Sequence, residues 1–201
     1  MLAKPHAADH IGSMTSGVHL PHRSVVEVAG PAAATLLQGL LTVDVVSMAE
    51  GARRWSALLS PQGKLLADMI LERRGDAFLL DVAASAAADL VRRLGLYRLR
   101  ADARVGLRDD LAAAGFAGPP DPRAAKAPER ATVFERDLPL PDPAVLQSYH
   151  AQRIAAGLAE QGVDFSANEV FPADINMDLL GGVDFAKGCF VGQEVVSRMK
   201  R

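Results

Sequence analysis

The chain has 201 residues, of which 49% are hydrophobic and 23% charged, and its formal net charge at pH 7 is −2. This composition excludes wholesale disorder and gives no overall attraction to nucleic acid, so we expect no direct nucleic-acid binding. No apolar run reaches the roughly 20 residues that a membrane-spanning helix needs, and the first residues do not resemble a signal peptide. We therefore expect a cytoplasmic globular protein that does not contact membranes.

The chain contains a single cysteine, Cys189. An intrachain disulfide is therefore impossible, and Cys189 alone cannot supply the roughly four thiolates that commonly hold an iron–sulfur cluster. His19 and His22 have no partners at metal-ligand spacing, so we expect no metal site.

The first part of the chain predicts a tail, a strand and a helix. Residues 1–17 are polar and are expected to form a flexible tail. A valine-rich stretch at 24–29 predicts a strand. Gly30-Pro31 then begins a helix, because proline suits a first turn and apolar residues repeat at helical spacing through Leu41.

The next part predicts a small sheet with a helix. Strands are predicted at 55–59 and 64–71, joined by a type I turn over Ser60-Pro61-Gln62-Gly63. A third strand is predicted at 77–82, a helix at 84–94 and a further strand at 104–108. Short connections between these elements favour an antiparallel sheet with packed helices, the α+β class.

Proline then divides the chain. Residues 115–129 contain four prolines and two glycines, which predicts a linker because neither helix nor central strand tolerates this composition. A helix is predicted from about Ala144 to Gln161, ended by Gly162. A last helical face is predicted over 191–199.

The most informative stretch is Lys187-Gly188-Cys189-Phe190-Val191-Gly192-Gln193-Glu194. Gly188 allows the backbone to approach another group closely. Lys187 would favour the thiolate form of Cys189 if the two side chains approach. The alternative is that Cys189 is a buried and inert small residue.

The end of this stretch is predicted to begin a helix. If Gly192 ends a loop and Gln193 starts a helix, free amide groups there receive an anion or a polar ligand edge. Glu194 in the first turn would be favoured by the helix dipole. The alternative is that Gln193 and Glu194 only cap the first turn.

Residues 187–194 resemble the K-G-C-[YF]-x-G-Q-E signature of the YgfZ family, whose members bind folate, maintain iron–sulfur clusters and are related to the glycine cleavage T-protein. Other stretches are similar to the family as well: Leu37-Gln38-Gly39-Leu40-Leu41-Thr42, Leu58-Leu59-Ser60-Pro61-Gln62-Gly63-Lys64, Tyr97-Arg98-Leu99-Arg100 and Arg153-Ile154-Ala155-Ala156-Gly157. The resemblance covers nearly the whole chain after the tail.

The resemblance implies several lobes around a central folate cavity. A discontinuous folate-binding lobe would contain 18–48 and 130–201, an inserted sheet-and-helix lobe would contain 49–116, and 117–129 would link them. The family has a small β-barrel after the signature. Because the chain ends soon after the signature, we expect that barrel to be missing, by truncation rather than through a short gene.

The resemblance also implies candidate site residues around tetrahydrofolate or another folate. Cys189 would be a functional thiol with Lys187 beside it, and Gly188, Gly192, Gln193 and Glu194 would contact the cofactor. Arg98 and Arg100, which alternate along a segment expected to be extended, would meet the glutamate tail of the folate. For these arginines a solvated basic face is the alternative.

The T-protein carries two acids that this chain lacks. Alignment of its Gly-Gly-x-x-Asp-Asp run leaves Ala67 and Asp68, so Asp68 is the remaining candidate beside the reacting folate nitrogen. A solvent-facing strand carboxylate is the alternative for Asp68. The T-protein glutamate that reads the donor edge of the pterin aligns with Ala155. These departures argue against T-protein chemistry.

The leading hypothesis is a folate-binding accessory protein in iron–sulfur cluster assembly or repair, whose partners are iron–sulfur clients, tRNA-modifying enzymes included, or assembly proteins. The alternative is a tetrahydrofolate-dependent one-carbon (aminomethyl) transferase of T-protein type. A third reading is a pure binding or tRNA-modification partner in which Cys189 does no chemistry. A cysteine-nucleophile hydrolase is a fourth and weaker one, because no histidine lies in or near the signature.

Overall fold

The computed structural model describes residues 17–116, 130–135 and 140–200. The elements in these ranges are β1 (Gly17–His19), β2 (Arg23–Ala29), α1 (Ala33–Gln38), β3 (Arg53–Leu59), β4 (Leu65–Arg74), β5 (Ala77–Ala83), α2 (Ala84–Arg98), β6 (Arg104–Leu107), β7 (Leu111–Phe116), β8 (Arg130–Glu135), α3 (Pro143–Ala155), a short 3-10 helix (Pro172–Ile175) and α4 (Gln193–Arg198). The predicted tail, apart from Gly17 in β1, and the predicted linker at 117–129 lie outside the described residues.

A five-stranded antiparallel sheet forms the centre of the molecule, in the order β3-β4-β5-β2-β6. The tight turn between β3 and β4 is closed by a 2.8 Å hydrogen bond from the Ser60 amide to the Lys64 carbonyl. The predicted α+β class with an antiparallel sheet and packed helices is confirmed. The predicted division at residues 48 and 49 is corrected, because β2 pairs on both sides with strands assigned to the inserted lobe.

The two faces of this sheet are covered by different parts of the chain. Apolar side chains of α1 and α2, such as Leu37 and Leu90, pack on one face against Met69 and Leu80. On the other face, side chains of β3 and β4 that include Trp55 pack against the segment from residue 158 to residue 196. That packing brings the signature stretch onto the β3–β4 end of the sheet.

A smaller sheet, in the order β1-β7-β8, packs against α3. Its core contact is Tyr149 of α3 with Leu20 and Ala113. Gly115 in β7 is required there, because a Cβ atom would lie 2.4 Å from the Tyr149 ring.

The helix ends differ from those predicted. Helix α1 stops at Gln38 with Gly39 as its C-cap, although Leu40 and Leu41, which follow it, are buried as their spacing suggested. Helix α3 stops at Ala155, shortly before Gly157, whose φ of 71° lies in the left-handed region. Both helices end earlier than the apolar spacing indicates, and at α3 a left-handed glycine follows the last turn.

Candidate functional site

The Cys189 thiol lies exposed on the loop that precedes α4. The alternative that Cys189 is buried is therefore wrong. The prediction that Gly192 ends the loop and Gln193 begins a helix is confirmed, and Gly192 is the N-cap with a φ of 79°. An exposed thiol can react or coordinate, whereas a sealed one cannot.

Lys187 fastens the start of this loop to the region that follows α1. Its ammonium group is buried and donates to the carbonyl oxygens of Gln38 at 2.6 Å, Leu41 at 2.6 Å and Val43 at 2.9 Å. An ammonium group has three N–H donors, so all three are used on backbone carbonyls. This arrangement gives Lys187 a positioning role, and its predicted effect on the Cys189 thiolate stays a prediction.

Burial has the largest influence on the pKa of the Lys187 ammonium group. Desolvation lowers its pKa from the ordinary lysine value to about 8, while the carboxylates of Asp44 and Asp184 act in the opposite direction. A lysine with this pKa holds its proton at neutral pH and loses it more readily than a surface lysine does.

Gly192, at the other end of the loop, packs closely against the turn between β3 and β4. A Cβ atom on Gly192 would lie 2.6 Å from the Ser60 carbonyl oxygen and 3.1 Å from the Gly63 Cα atom. A Cβ on Gly188 would meet nothing within 4 Å. Gly192 therefore serves close packing, and the loop that carries Cys189 is held at both ends.

The remaining signature side chains lie on the first turn of α4. Glu194 is exposed and forms an ion pair with Arg198 one turn later. Gln193 is half-buried. Gln193 and Glu194 directly follow the loop that carries Cys189. Their predicted contact with a cofactor stays a prediction.

A second candidate region is a sealed charge cluster, defined here as Arg23, Asp68, Asp81, Arg153 and Glu160. All five side chains are at most 5% exposed. The Arg23 guanidinium lies 2.7 Å from Asp81, 3.4 Å from Asp68 and 3.9 Å from Glu160, each distance joining a nitrogen to a carboxylate oxygen. Glu160 also lies 3.3 Å from Arg153.

Asp68 is buried within this cluster, so the solvent-facing alternative for it is wrong. Its second carboxylate oxygen accepts a 3.3 Å hydrogen bond from the Trp55 indole. The Gln161 side chain accepts from the Asp68 amide and donates to the Leu66 carbonyl, each at 3.1 Å. Gln161 thus satisfies the edge of β4 where β5 has already ended.

Two histidines lie at the border of the cluster. His22 lies 3.4 Å from Glu160, and Arg153 donates a 2.9 Å hydrogen bond to Nδ1 of His150. Burial, followed by the nearby Arg153 charge, lowers the pKa of His150. His150 is therefore held as a neutral acceptor toward Arg153 at neutral pH.

Sequence reasoning did not find Arg23, Glu160 or Gln161. Arg23 and Glu160 are separated by 137 positions, and no spacing pattern connects them. No local signal was present, because charged residues at the start of a strand and after a helix are ordinarily solvated.

Arg98 and Arg100 do not alternate along an extended segment. Arg98 is the last residue of α2, where its guanidinium donates to the Ala103 carbonyl at 3.0 Å. Both side chains are exposed. The apolar face of α2 continues through Leu94, which keeps the backbone helical to this point, so the proposed shared face for a folate tail is corrected.

A cavity of about 240 Å³ lies where β1 and β7 meet β2 and β6. Five of its ten lining residues are polar or charged: His19, Arg23, Ser24, Arg108 and Asp109. None of its lining residues belongs to the signature stretch 187–194. This cavity therefore adjoins the sealed charge cluster through Arg23 and does not adjoin Cys189 through the signature.

Within the described ranges, no group of three or more His, Cys, Asp or Glu side chains is arranged so that it could hold a metal ion. The helices in those ranges are all too short or too polar to span a bilayer.

No protein-family model matches the chain. The chain is 32% identical over 209 residues to the mitochondrial iron–sulfur cluster assembly factor IBA57 homolog of Pyricularia oryzae, which covers 90% of this chain and 53% of that protein. It is 29% identical to the IBA57 homolog of Mycosarcoma maydis, covering 98% of this chain and 56% of that protein. The chain thus spans about half the length of the curated relatives it matches.

The cytoplasmic location expected from the sequence is contradicted by these relatives, which are named as mitochondrial proteins. The folded chain is similar to the crystal structure of the glycine cleavage system aminomethyltransferase T from Bartonella henselae. The TM-score is 0.65, the sequence identity 19%, and the match covers 90% of this chain and 62% of that one. The chain therefore has the fold of an aminomethyltransferase T, with sequence similarity to mitochondrial iron–sulfur cluster assembly factors.

Proposed function

We propose that this chain is an accessory factor in iron–sulfur cluster assembly and that the Cys189 thiol is its working group. The relatives named as assembly factors support the process. One observation supports the residue: the single thiol of the chain is exposed on a loop held at one end by Lys187 and at the other by Gly192. The same relatives favour a mitochondrial location.

The chemistry of this role requires a partner. Clusters are commonly held by about four thiolates, and this chain supplies one. A cluster handled as cargo would exchange one of its ligands for the Cys189 thiolate, with release of the thiol proton and no change of oxidation state. The other ligands would come from an assembly protein, a client or a second copy of this chain.

Folate is less well supported by the described residues. The fold family implies a folate, yet Asp68 is sealed by Arg23 and Trp55, and Ala155 is an exposed alanine at the end of α3. A pterin beside Asp68 does not fit this arrangement, so no step is derived through it. For the same reason we do not favour the one-carbon transferase alternative. Support of tRNA-modifying enzymes stays a prediction.

Anaerobic reconstitution tests the proposed function. The protein is incubated with ferric iron, sulfide and glutathione, the last as a source of the remaining thiolates, and bound cluster is measured by visible absorbance and by iron and sulfide content. We expect the wild type to carry a cluster and Cys189→Ser to lose it, with unfolding free energies within about 0.5 kcal/mol because the side chain is exposed.

A matched control is Ser197→Ala, which removes another small exposed polar group from the same segment. It should reconstitute like the wild type. Equal cluster content in Cys189→Ser and the wild type would refute the role of the thiol.

A further inference from the structure

Three buried carboxylates converge on a single guanidinium in the sealed charge cluster. Arg23 donates through Nε to Asp81, through one terminal nitrogen to Asp68, and through the other to the Asp81 carbonyl at 2.8 Å. Glu160 lies on the same guanidinium at 3.9 Å. The Arg23 side chain is fully buried, although arginine is rarely buried unless paired.

The Arg23 guanidinium donates to two different carboxylates and one carbonyl, and acceptors of this kind also suit the donor edge of a pterin. The donor edge of a pterin is part of a cyclic guanidine unit, in which an amino group and a ring N–H point in the same direction. A carboxylate accepts both donors, with added strength from its charge. The arginine guanidinium presents the same paired N–H donors and is always charged.

We propose that Arg23 is an internal replacement for such a ligand and determines the specificity of this region, because its guanidinium fills the carboxylate cluster that would otherwise receive a guanidine-containing ring. The cluster is then a closed structural centre, and the chain does not bind folate at Asp68. This inference goes beyond the proposed function, since it involves neither Cys189 nor an iron–sulfur cluster.

The adjoining cavity would let a ligand reach the cluster once the Arg23 side chain is shortened. Arg23 lines the 240 Å³ cavity between the two sheets, together with Ser24 and Arg108. Shortening Arg23 to alanine would join this cavity to the space beside Asp68 and Asp81. It would also leave buried carboxylates without their central cation, and buried charge favours binding of a compensating one.

The experiment compares the wild type with Arg23→Ala, using methylguanidinium and tetrahydrofolate as probes. Binding is followed by calorimetry, and methylguanidinium binding also by the fluorescence of Trp55, the only tryptophan, whose indole donates to Asp68. We expect no binding to the wild type. We expect Arg23→Ala to bind methylguanidinium at least about tenfold more tightly than the detection limit that bounds the wild type, with a rise in its melting temperature.

Arg108→Ala is the matched control. Arg108 lines the same cavity, but it is one-third exposed and pairs with Glu27 and Asp110 rather than with the cluster. Its removal should enlarge the cavity without creating a guanidinium site.

Two results would overturn the proposal. One is tetrahydrofolate binding by the wild type that weakens in Asp68→Asn. The other is a folded Arg23→Ala protein that does not bind methylguanidinium. If Arg23→Ala does not fold, refolding is repeated with millimolar methylguanidinium and with Arg23→Gln. Recovery of folding by methylguanidinium supports the proposal, and its failure in both variants refutes it.

Discussion

The sealed charge cluster and the thiol loop both bury cationic side chains, and they do so in opposite ways. In the cluster, the guanidinium groups of Arg23 and Arg153 are matched by carboxylates. In the loop, the ammonium group of Lys187 is matched by neutral backbone carbonyls. Because paired charges lose most when one partner is removed, the cluster is the more demanding structure.

The two regions also differ in their exposure to solvent, because the cluster is buried whereas the loop exposes its thiol. The cluster places its polar groups where solvent does not reach, next to the only tryptophan. The loop uses its buried lysine to hold a neighbouring thiol in solvent. We therefore expect changes in the cluster to act on folding, and changes in the loop to act on the thiol as well.

The largest expected effect is that of Asp81→Asn. The substitution keeps the shape of the side chain but removes the charge at 2.7 Å from the Arg23 guanidinium. Breaking a buried pair in this way should lower the free energy of unfolding by about 3–5 kcal/mol. Urea unfolding followed by Trp55 fluorescence measures it.

Asp89→Asn provides the matched control for that comparison. Asp89 forms ion pairs with Arg92 and Arg93 on the surface of α2, and exposed pairs contribute at most about 0.5–1 kcal/mol. Similar losses of unfolding free energy in the two variants would mean that the buried ion pairs of the cluster contribute no more to stability than exposed ion pairs do.

Lys187→Met is expected to have the next largest effect. Three carbonyls lose their donor, which should cost about 2–4 kcal/mol. Because Cys189 is the only cysteine, a nitroxide attached to it reports motion of the loop directly. We expect the nitroxide spectrum to become more mobile in Lys187→Met.

Lys64→Met is the control for the lysine. Lys64 is partly exposed, donates one 3.3 Å hydrogen bond to the Glu169 carbonyl and lies 5.5 Å from the centre of the Phe171 ring. Its substitution should leave both stability and the nitroxide spectrum nearly unchanged. An equally immobile label in Lys187→Met would show that Lys187 does not position the thiol.

Much of the fold could be predicted from local patterns. The three strands from β3 to β5 and helix α2 follow apolar spacing and turn residues, and their neighbours in sequence are their neighbours in space. By contrast, β7 is rich in alanine and glycine, residues with low strand propensity, and forms a strand through pairing with β1 and β8. Tertiary pairing is not visible in the local pattern.

The candidate site was likewise predictable from the sequence only in part. Residues 187–194 could be found because the chemistry is contiguous in sequence. The partners of Lys187 could not, since they are backbone carbonyls about 145 positions earlier and carbonyls carry no sequence signal. Arg23, Asp68 and Glu160 meet only because β2 and β4 lie on either side of β5 and the segment after α3 packs beside them.

Gly192→Ala tests the second attachment of the loop. Its φ of 79° and a Cβ position 2.6 Å from the Ser60 carbonyl oxygen should together cost about 2–3 kcal/mol. Gly188→Ala, in the same signature, meets nothing within 4 Å and should change stability by less than about 0.5 kcal/mol. Urea unfolding of the two alanine variants checks the contrast, and equal losses would contradict it.

The smallest expected effect is a pH dependence that comes from Lys187. Burial lowers its pKa to about 8 in the folded chain, whereas the unfolded chain should have the ordinary value of about 10.4. Between these values the unfolded state holds a proton that the folded state has released. Stability must therefore rise with pH across this window.

Lys187→Met has no titrating group at this position and serves as the reference, so contributions from other groups cancel. The stability of the wild type relative to Lys187→Met should increase by about 1–2 kcal/mol from pH 7 to pH 9. Urea unfolding of both proteins at each pH measures the change. If the relative stability instead falls as pH rises, the three carbonyls hold the charged ammonium more strongly than burial opposes it, and the loop depends on the charge of Lys187 rather than merely tolerating it.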